Sequence, residues 1–259
     1  MGQDLSRDAN IDFSATRLDF EAFRQLARNP NLDLNERIGY PADYRQGRED
    51  AVFRDILTKL PVLTESEGRT VVDIGAGCAN LPRMLIDLCV QRRHRLVQVD
   101  SPEMLSQLPD VESVTFKCDG AFPANFATVA PLTPDGADAV LAYGVLSVVY
   151  LDGNPFEFMD GICALLAPRG RALVGELPNM SKRRRFFASE TGKAFHRAFT
   201  GQDEDPVVTF NAPAAGIDDA VLAGLVQRAQ AAGFDAYVVP QHPDLPMANR
   251  RDDLLIQRP

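Results

Sequence analysis

Residues 1–49 are mostly polar, apart from an amphipathic stretch, Leu18–Arg28, in which Phe20, Phe23 and Leu26 keep helical spacing. A second helix is predicted over Glu49–Leu60, with Val52, Phe53, Ile56, Leu57 and Leu60 on one stripe. Then the period changes. Arg69–Ile74 is a short run rich in β-branched residues that ends at Gly75, the pattern of a buried parallel strand. Beyond it strands and helices alternate. Helix Leu81–Arg92, with Pro82 in its first turn, precedes a strand over His94–Val99 that closes on Asp100. A short helix, Pro102–Gln107, leads to a strand over Ser113–Cys118 closing on Asp119. Strand Ala137–Tyr143 is followed by helix Phe156–Leu166, which Pro168 and Gly170 stop, and by strand Arg171–Gly175. Further on come helix Ile217–Ala232, ended by Gly233, and strands Ala236–Pro240 and Leu254–Gln257.

This alternation predicts an α/β fold: a doubly wound, seven-stranded, mostly parallel sheet with helices on both faces. The loop joining the last two strands has no room for a crossover helix, so they are expected as an antiparallel terminal hairpin at one edge. Residues 1–60 form an N-terminal helical cap in this reading. Residues 61–259 form the sheet domain, with a cap insertion over 177–216.

Composition narrows the function classes. The chain has 259 residues, 45% hydrophobic and 24% charged, with a net charge of -9. Nucleic acids and anionic membranes both demand a positive field, so neither is an expected partner. Met1-Gly2 with Ser6 matches the start of a myristoylation pattern but lacks a polybasic flank. The first residues contain no apolar h-region, so no secretory signal is expected. Ala137–Leu151, interrupted by Asp138, is too short to span a bilayer. Cys78, Cys89, Cys118 and Cys163 lack metal-type spacing and read as buried reduced thiols, as expected in the cytoplasm. None of the three histidines pairs with another at ligand spacing, so no metal site is expected.

The candidate chemistry sits at the carboxyl ends of the strands, where doubly wound sheets bind ligands. Asp73, Asp100 and Asp119 fall there on successive strands, and the first turn reads Asp73-Ile-Gly75-Ala-Gly77-Cys-Ala-Asn80. Glycines let that turn tighten and let a ligand approach the backbone. A pyrophosphate prefers bare N–H groups at a helix N-terminus, and Asp73 would repel it. A cationic ligand end suits Asp73, while Asp100 can accept two hydrogen bonds from a ribose diol and Asp119 one from an exocyclic amine. A cation, a ribose and an aminopurine in line describe S-adenosylmethionine. A dinucleotide site is the alternative, but its fingerprint wants glycine where Asn80 stands.

At these residues the chain resembles the class I S-adenosylmethionine-dependent methyltransferase superfamily, whose sheet is Rossmann-like. Val71-Val-Asp-Ile-Gly-Ala-Gly77 is similar to its first motif and Val99-Asp-Ser-Pro-Glu-Met-Leu105 to its second. Ala139-Val-Leu-Ala-Tyr-Gly-Val145 is similar to its fourth-strand motif, and Leu166-Ala-Pro-Arg-Gly-Arg-Ala-Leu173 to the turn before its fifth strand. The resemblance runs from Val71 to Pro259. It implies that Asp73, with the backbone at Gly75 and Gly77, holds the methionine portion. It puts Asp100 on the ribose, with Ser101 and Met104 beside the adenosine. Asp119 and Gly120 would meet the adenine amine, and Tyr143 and Gly144 would lie beneath the sulfonium. Ala79 departs from the pattern, since many members carry a third glycine there.

The acceptor side is less legible. Either region outside the sheet pattern, 1–60 or 177–216, could form a lid. Glu176 and Asn179 directly follow the fifth strand and are candidate substrate contacts. Ser189 can cap a helix carrying Phe195, His196 and Phe199, which would bring His196 to the cleft if that helix folds over it. An alcohol acceptor would need a general base, for which His196, then His242 and Glu176, are the candidates. The basic run Lys182–Arg185 is either a solvated face, a pocket in which Arg183 and Arg184 hold an anion, or a nucleic-acid patch. Arg250 and Arg251, in the loop of the terminal hairpin, raise the same question, with Arg250 the candidate substrate contact. Tyr40-Pro-Ala-Asp-Tyr-Arg45 resembles a segment of bacterial methyltransferases from surface-sugar biosynthesis. The expected activity is methyl transfer to oxygen or nitrogen of a small polar metabolite, in that resemblance an anionic sugar or surface-polysaccharide precursor. A non-catalytic S-adenosylmethionine-binding partner and an enzyme acting on protein are the alternatives.

Overall fold

The computed structural model describes residues 5–6, 11–12, 18–41, 47–210 and 216–259. Met1-Gly2 and most of the Tyr40–Arg45 segment lie outside them. Seven strands form one sheet: β1 (Thr70–Ile74), β2 (Arg95–Asp100), β3 (Thr115–Asp119), β4 (Ala137–Tyr143), β5 (Leu166–Pro178), β6 (Asp235–Pro240) and β7 (Arg251–Gln257). Their order is β3-β2-β1-β4-β5-β7-β6. The first five pair in parallel, and β7 runs antiparallel between β5 and β6. This is the doubly wound, mostly parallel sheet with an antiparallel terminal hairpin that the alternation predicts. Chain order reverses between β1 and β4, which opens a crevice at their carboxyl ends.

Among the described residues four helices precede the sheet: α1 (Phe20–Arg28), α2 (Leu34–Arg37), α3 (Glu49–Lys59) and α4 (Val62–Glu65). Between strands come α5 (Asn80–Arg92), α6 (Pro102–Leu105), α7 (Phe126–Val129), α8 (Leu146–Asp152) and α9 (Pro155–Leu165). Between β5 and β6 lie α10 (Met180–Ala188), α11 (Glu190–Thr200) and α12 (Asp219–Ala231). Alternation along the strands feeds two cores. Val72, Val97, Val140 and Val174 face Phe158, Ile162, Leu222 and Leu225 of α9 and α12. Val71, Leu96, Leu141 and Leu173 face Ile56, Leu60, Leu85 and Ile86 around α3 and α5. Asp73 and Asp100 stand on this second face by the same two-residue period.

Two strands outrun their expected bounds. β5 runs on to Pro178, paired with Arg251, and β7 begins at Arg251 rather than Leu254. The acidic pair Asp252-Asp253 hides the strand in the sequence, because the structure buries both residues. Asp253 is fully buried. Its Oδ2 meets Lys59 Nζ at 2.7 Å, and its Oδ1 accepts from the Glu176 N–H at 2.8 Å and from Gln241 Nε2 at 3.0 Å. Lys59 also holds Asp55 at 2.5 Å, so α3 is bolted to the hairpin. Removing the lysine would strand a buried carboxylate. Lys59→Met should therefore cost about 3 kcal/mol in urea unfolding, and adding Asp253→Asn should restore part of that loss.

Candidate functional site

The turn after β1 is built for close approach. Gly75 and Gly77 have φ of +67° and +69°. A Cβ at Gly75 would lie 2.4 Å from Cγ2 of Val145, and one at Gly77 3.0 Å from Cγ2 of Ile38. The Gly75 N–H donates to the Val99 carbonyl at 2.7 Å, and the Gly77 N–H to Oδ2 of Asp100 at 2.8 Å. Asp100 also accepts from the Ser101 N–H at 2.6 Å. Burial pushes its carboxyl up to about 6, against the pull of those two backbone donors. Asp73, 5% exposed, is pushed up to about 7, first by burial and then by the neighbouring Asp100. Among the described residues no cationic side chain forms an ion pair with either carboxylate.

Both carboxylates face a cavity of about 760 Å³. Gly75, Gly77, Met104, Gly120, Tyr143 and Gly144 line it with them. Ser101 lies just behind, buried at the N-cap of α6, where its Oγ accepts from the Met104 N–H at 3.3 Å. Asp119 is exposed at the end of β3 and outside the lining; Gly120, with φ +119°, stands there instead. The Tyr143 ring crosses Gly175, where a Cβ would come within 2.4 Å of it.

The cover comes from the N-terminal cap. Leu18, Phe20, Phe23, Ile38, Gly39 and Tyr40 line the cavity. Arg24 grips Glu103 of α6 through two bonds of 2.9 and 3.0 Å, and Arg28 joins the same carboxylate. Gln107 donates to the Ala27 carbonyl at 3.0 Å and accepts from Arg37 at 2.6 Å. At the other end Tyr40 Oη donates to Glu176 Oε2 at 3.0 Å, while Arg251 Nη1 meets Glu176 Oε1 at 2.5 Å. Glu176 is buried with φ +62°, a region disfavoured for any side chain and met at ligand sites. It does not line the cavity, but Tyr40 and Arg251 do.

None of the described residues of 177–216 joins the lining. Helix α10 packs on α12, with Arg185 on Asp219 at 2.5 Å, and Lys182 is held by Asp252 at 2.6 Å. Asn179 is buried and caps α10, accepting from the Lys182 N–H and donating to Asp219 and Asp252. Arg183 lies over the Phe187 ring, Arg184 is half-buried on the same helix, and Arg250 covers Phe187 and Phe195. His196 sits edge-on to Phe187 on α11. His242 is mostly exposed, 3.5 Å from Asp244. The insertion thus folds onto α12 and its own aromatic cluster, and the structure does not bring His196, His242, Asn179, Arg183, Arg184 or Arg250 to the cavity. The sequence did not mark Tyr40 as a site residue, nor α8 or the Phe122-Pro123 turn that line the far wall; of the arginine pair weighed together, with Arg250 taken as the contact, it is Arg251 that lines the cavity.

Solved structures of similar fold include methyltransferases. The plantazolicin methyltransferase BamL, in complex with a triazolic desmethylPZN analog and SAH, aligns with a TM-score of 0.55 at 12% identity over 92% of this chain and 96% of its own. The putative methyltransferase bound to the Trm112 activator of Haloferax volcanii aligns at 0.52, with 16% identity over 94% of this chain and all of its own. The pyocyanin biosynthetic protein PhzM aligns at 0.52 and 18% identity, over 93% of this chain but 62% of its own length. No family model matches the chain, and no curated protein matches it. The chain has the class I methyltransferase fold.

Raised carboxyl pKa values carry a stability cost in the ligand-free protein. Asp73 is neutral below about pH 4 whether folded or unfolded, and the cost of ionising it in the fold grows from there to about 7. Asp73→Asn should leave stability near that of the parent at about pH 4 but raise it, on the order of 4 kcal/mol, at about pH 8. Urea denaturation of the ligand-free protein at both pH values checks this; a variant no more stable at pH 8 would mean the carboxylate is not desolvated.

Proposed function

We propose that the protein is an S-adenosylmethionine-dependent methyltransferase acting on a small molecule. One observation carries the reading: two buried carboxylates without a cation flank a glycine turn and face one cavity. Such a pair asks for a ligand that brings positive charge and hydroxyl donors. S-Adenosylmethionine has both, and neighbours of the same fold carry SAH. In this reading Asp73 and the backbone at Gly75 and Gly77 hold the methionine end, and Asp100 accepts from the ribose hydroxyls. Met104 packs on the adenosine with Ser101 fixing its helix, Gly120 offers backbone to the adenine beside Asp119, and Tyr143 and Gly144 lie under the sulfur.

The chemistry such a cofactor supplies is an electrophilic methyl group on a positively charged sulfur. The chain then needs chiefly to hold an acceptor's lone pair in line with that methyl and keep water away. Positioning of this kind supplies up to roughly 7–11 kcal/mol of barrier reduction. The cap excludes solvent, and Glu176 orients Tyr40 and Arg251 against the reacting end. Of the three candidate bases, Glu176 alone touches cavity-lining side chains, so we assign it this positioning role and give His196 and His242 none. The basic run lends an anionic sugar no support, because Lys182 and Arg185 are spent on Asp252 and Asp219. The four free cysteines are all buried, which suits a reducing compartment such as the cytoplasm. Among the described residues no helix is long and apolar enough to cross a membrane.

Titration calorimetry with S-adenosylmethionine tests the assignment. Asp100→Ala should weaken binding by about 1.5–3 kcal/mol through lost charged hydrogen bonds. Affinity should fall as pH drops from about 8 to about 6, approaching tenfold per unit below the Asp73 pKa, because protonation removes the charge that meets the cation. Asp73→Asn should bind weakly and flatten this dependence. Unchanged affinity in Asp100→Ala, or tighter binding at low pH, would refute the reading.

A further inference from the structure

The cofactor reading leaves part of the cavity wall unused. Leu18, Phe20 and Tyr40 of the cap face it from one side, and Val148, Val149 and Leu151 of α8 from the other. Leu151 is 57% exposed, so this apolar surface reaches the solvent. Apart from the Tyr40 hydroxyl these groups offer a ligand only hydrocarbon and an aromatic ring. An acceptor entering here gives up its hydration with little hydrogen bonding in return, which favours apolar surface and penalises charge.

Charge around the cavity points the same way. Among the described lining residues Arg251 is the one positive side chain, and Glu176 neutralises it at 2.5 Å. Asp73, Asp100, Asp152 and Glu157 are the negative ones. With Asp73 and Asp100 taken up by the cofactor, an anionic acceptor would still meet Asp152 and Glu157 at the mouth, and Arg251, the one cation among the described lining residues, is already paired with Glu176. A cationic acceptor fares little better. Asp73 and Asp100 are taken up by the cofactor, and Glu157 accepts from Asn154 at the N-terminus of α9, where the helix dipole already suits its charge. At the polar end Glu176 accepts a hydrogen bond from Tyr40 and forms an ion pair with Arg251, a group able to orient a single polar substituent.

We infer that the methyl acceptor is an uncharged, predominantly apolar small molecule carrying one polar group, and not an anionic sugar. This rests on the cofactor assignment above and deepens it. The test keeps one ring system and varies its charge. Protein saturated with S-adenosylhomocysteine is titrated with 1-naphthol, 1-naphthoate and 1-naphthylmethylammonium, and with glucuronate. Naphthol should bind at least about tenfold more tightly than either ion, and glucuronate should not bind. Leu151→Lys, at an exposed position that tolerates the change, should shift the preference toward naphthoate at least about threefold. Equal or tighter binding of either ion or of glucuronate would overturn the inference, as would no binding of naphthol. The titration with S-adenosylhomocysteine comes first: its failure would break the cofactor assignment and this inference with it, whereas its success followed by a wrong order of acceptor affinities would break this inference alone.

Discussion

The site depends on a repulsion held in place. Asp73 and Asp100 stand at the carboxyl ends of adjacent strands on one face of the sheet, away from water; burial makes both harder to ionise, and Asp100 makes it harder still for Asp73. A fold selected for stability alone would not keep such a pair. Elsewhere in the same molecule a buried carboxylate is compensated: Asp253 has Lys59 and two further donors, the Glu176 N–H and Gln241. The contrast between a carboxylate given a lysine and two given a cavity is the strongest physical sign that the missing charge arrives with a ligand.

Around that pair the backbone is arranged for contact. Two glycines in the left-handed region keep the β1 turn open, since any Cβ there would strike Val145 or Ile38. The cap closes from the opposite side, fastened at α6 by Arg24 on Glu103 and at the β5 end by Tyr40 on Glu176. The second fastening uses a glutamate with positive φ, a conformation that persists only because Asp253 holds its N–H and two side chains hold its carboxylate. Local strain at Glu176 is thereby exchanged for a fixed direction of Tyr40 and Arg251.

Much of the fold was legible in order along the chain. Seven strands, their parallel sense and the terminal hairpin follow from hydrophobic period and loop length, because strands buried on both faces must be nearly continuous in apolar residues. The ends of β5 and β7 were not legible, since Asp252 and Asp253 look solvent-facing until Lys59 and Lys182, from helices far away in sequence, are folded onto them. Helix α8 was hidden for a related reason: Leu146–Asp152 reads as a continuation of the preceding apolar strand.

What the sequence by itself determined is the sheet and the residues at its carboxyl edge, because strand ends and glycine turns are local features that carry their position in the fold with them. Only the tertiary structure decided which outlying segment covers the cavity. The choice between the N-terminal cap and the insertion turned on long-range pairings, Arg24 with Glu103 on one side and Arg185 with Asp219 on the other, and such pairings between distant segments leave no periodicity to read. The same holds for Arg251 against Arg250: Arg251 opens β7 and meets Glu176 at the cavity wall, whereas Arg250 stays in the loop before the strand, over Phe187 and Phe195.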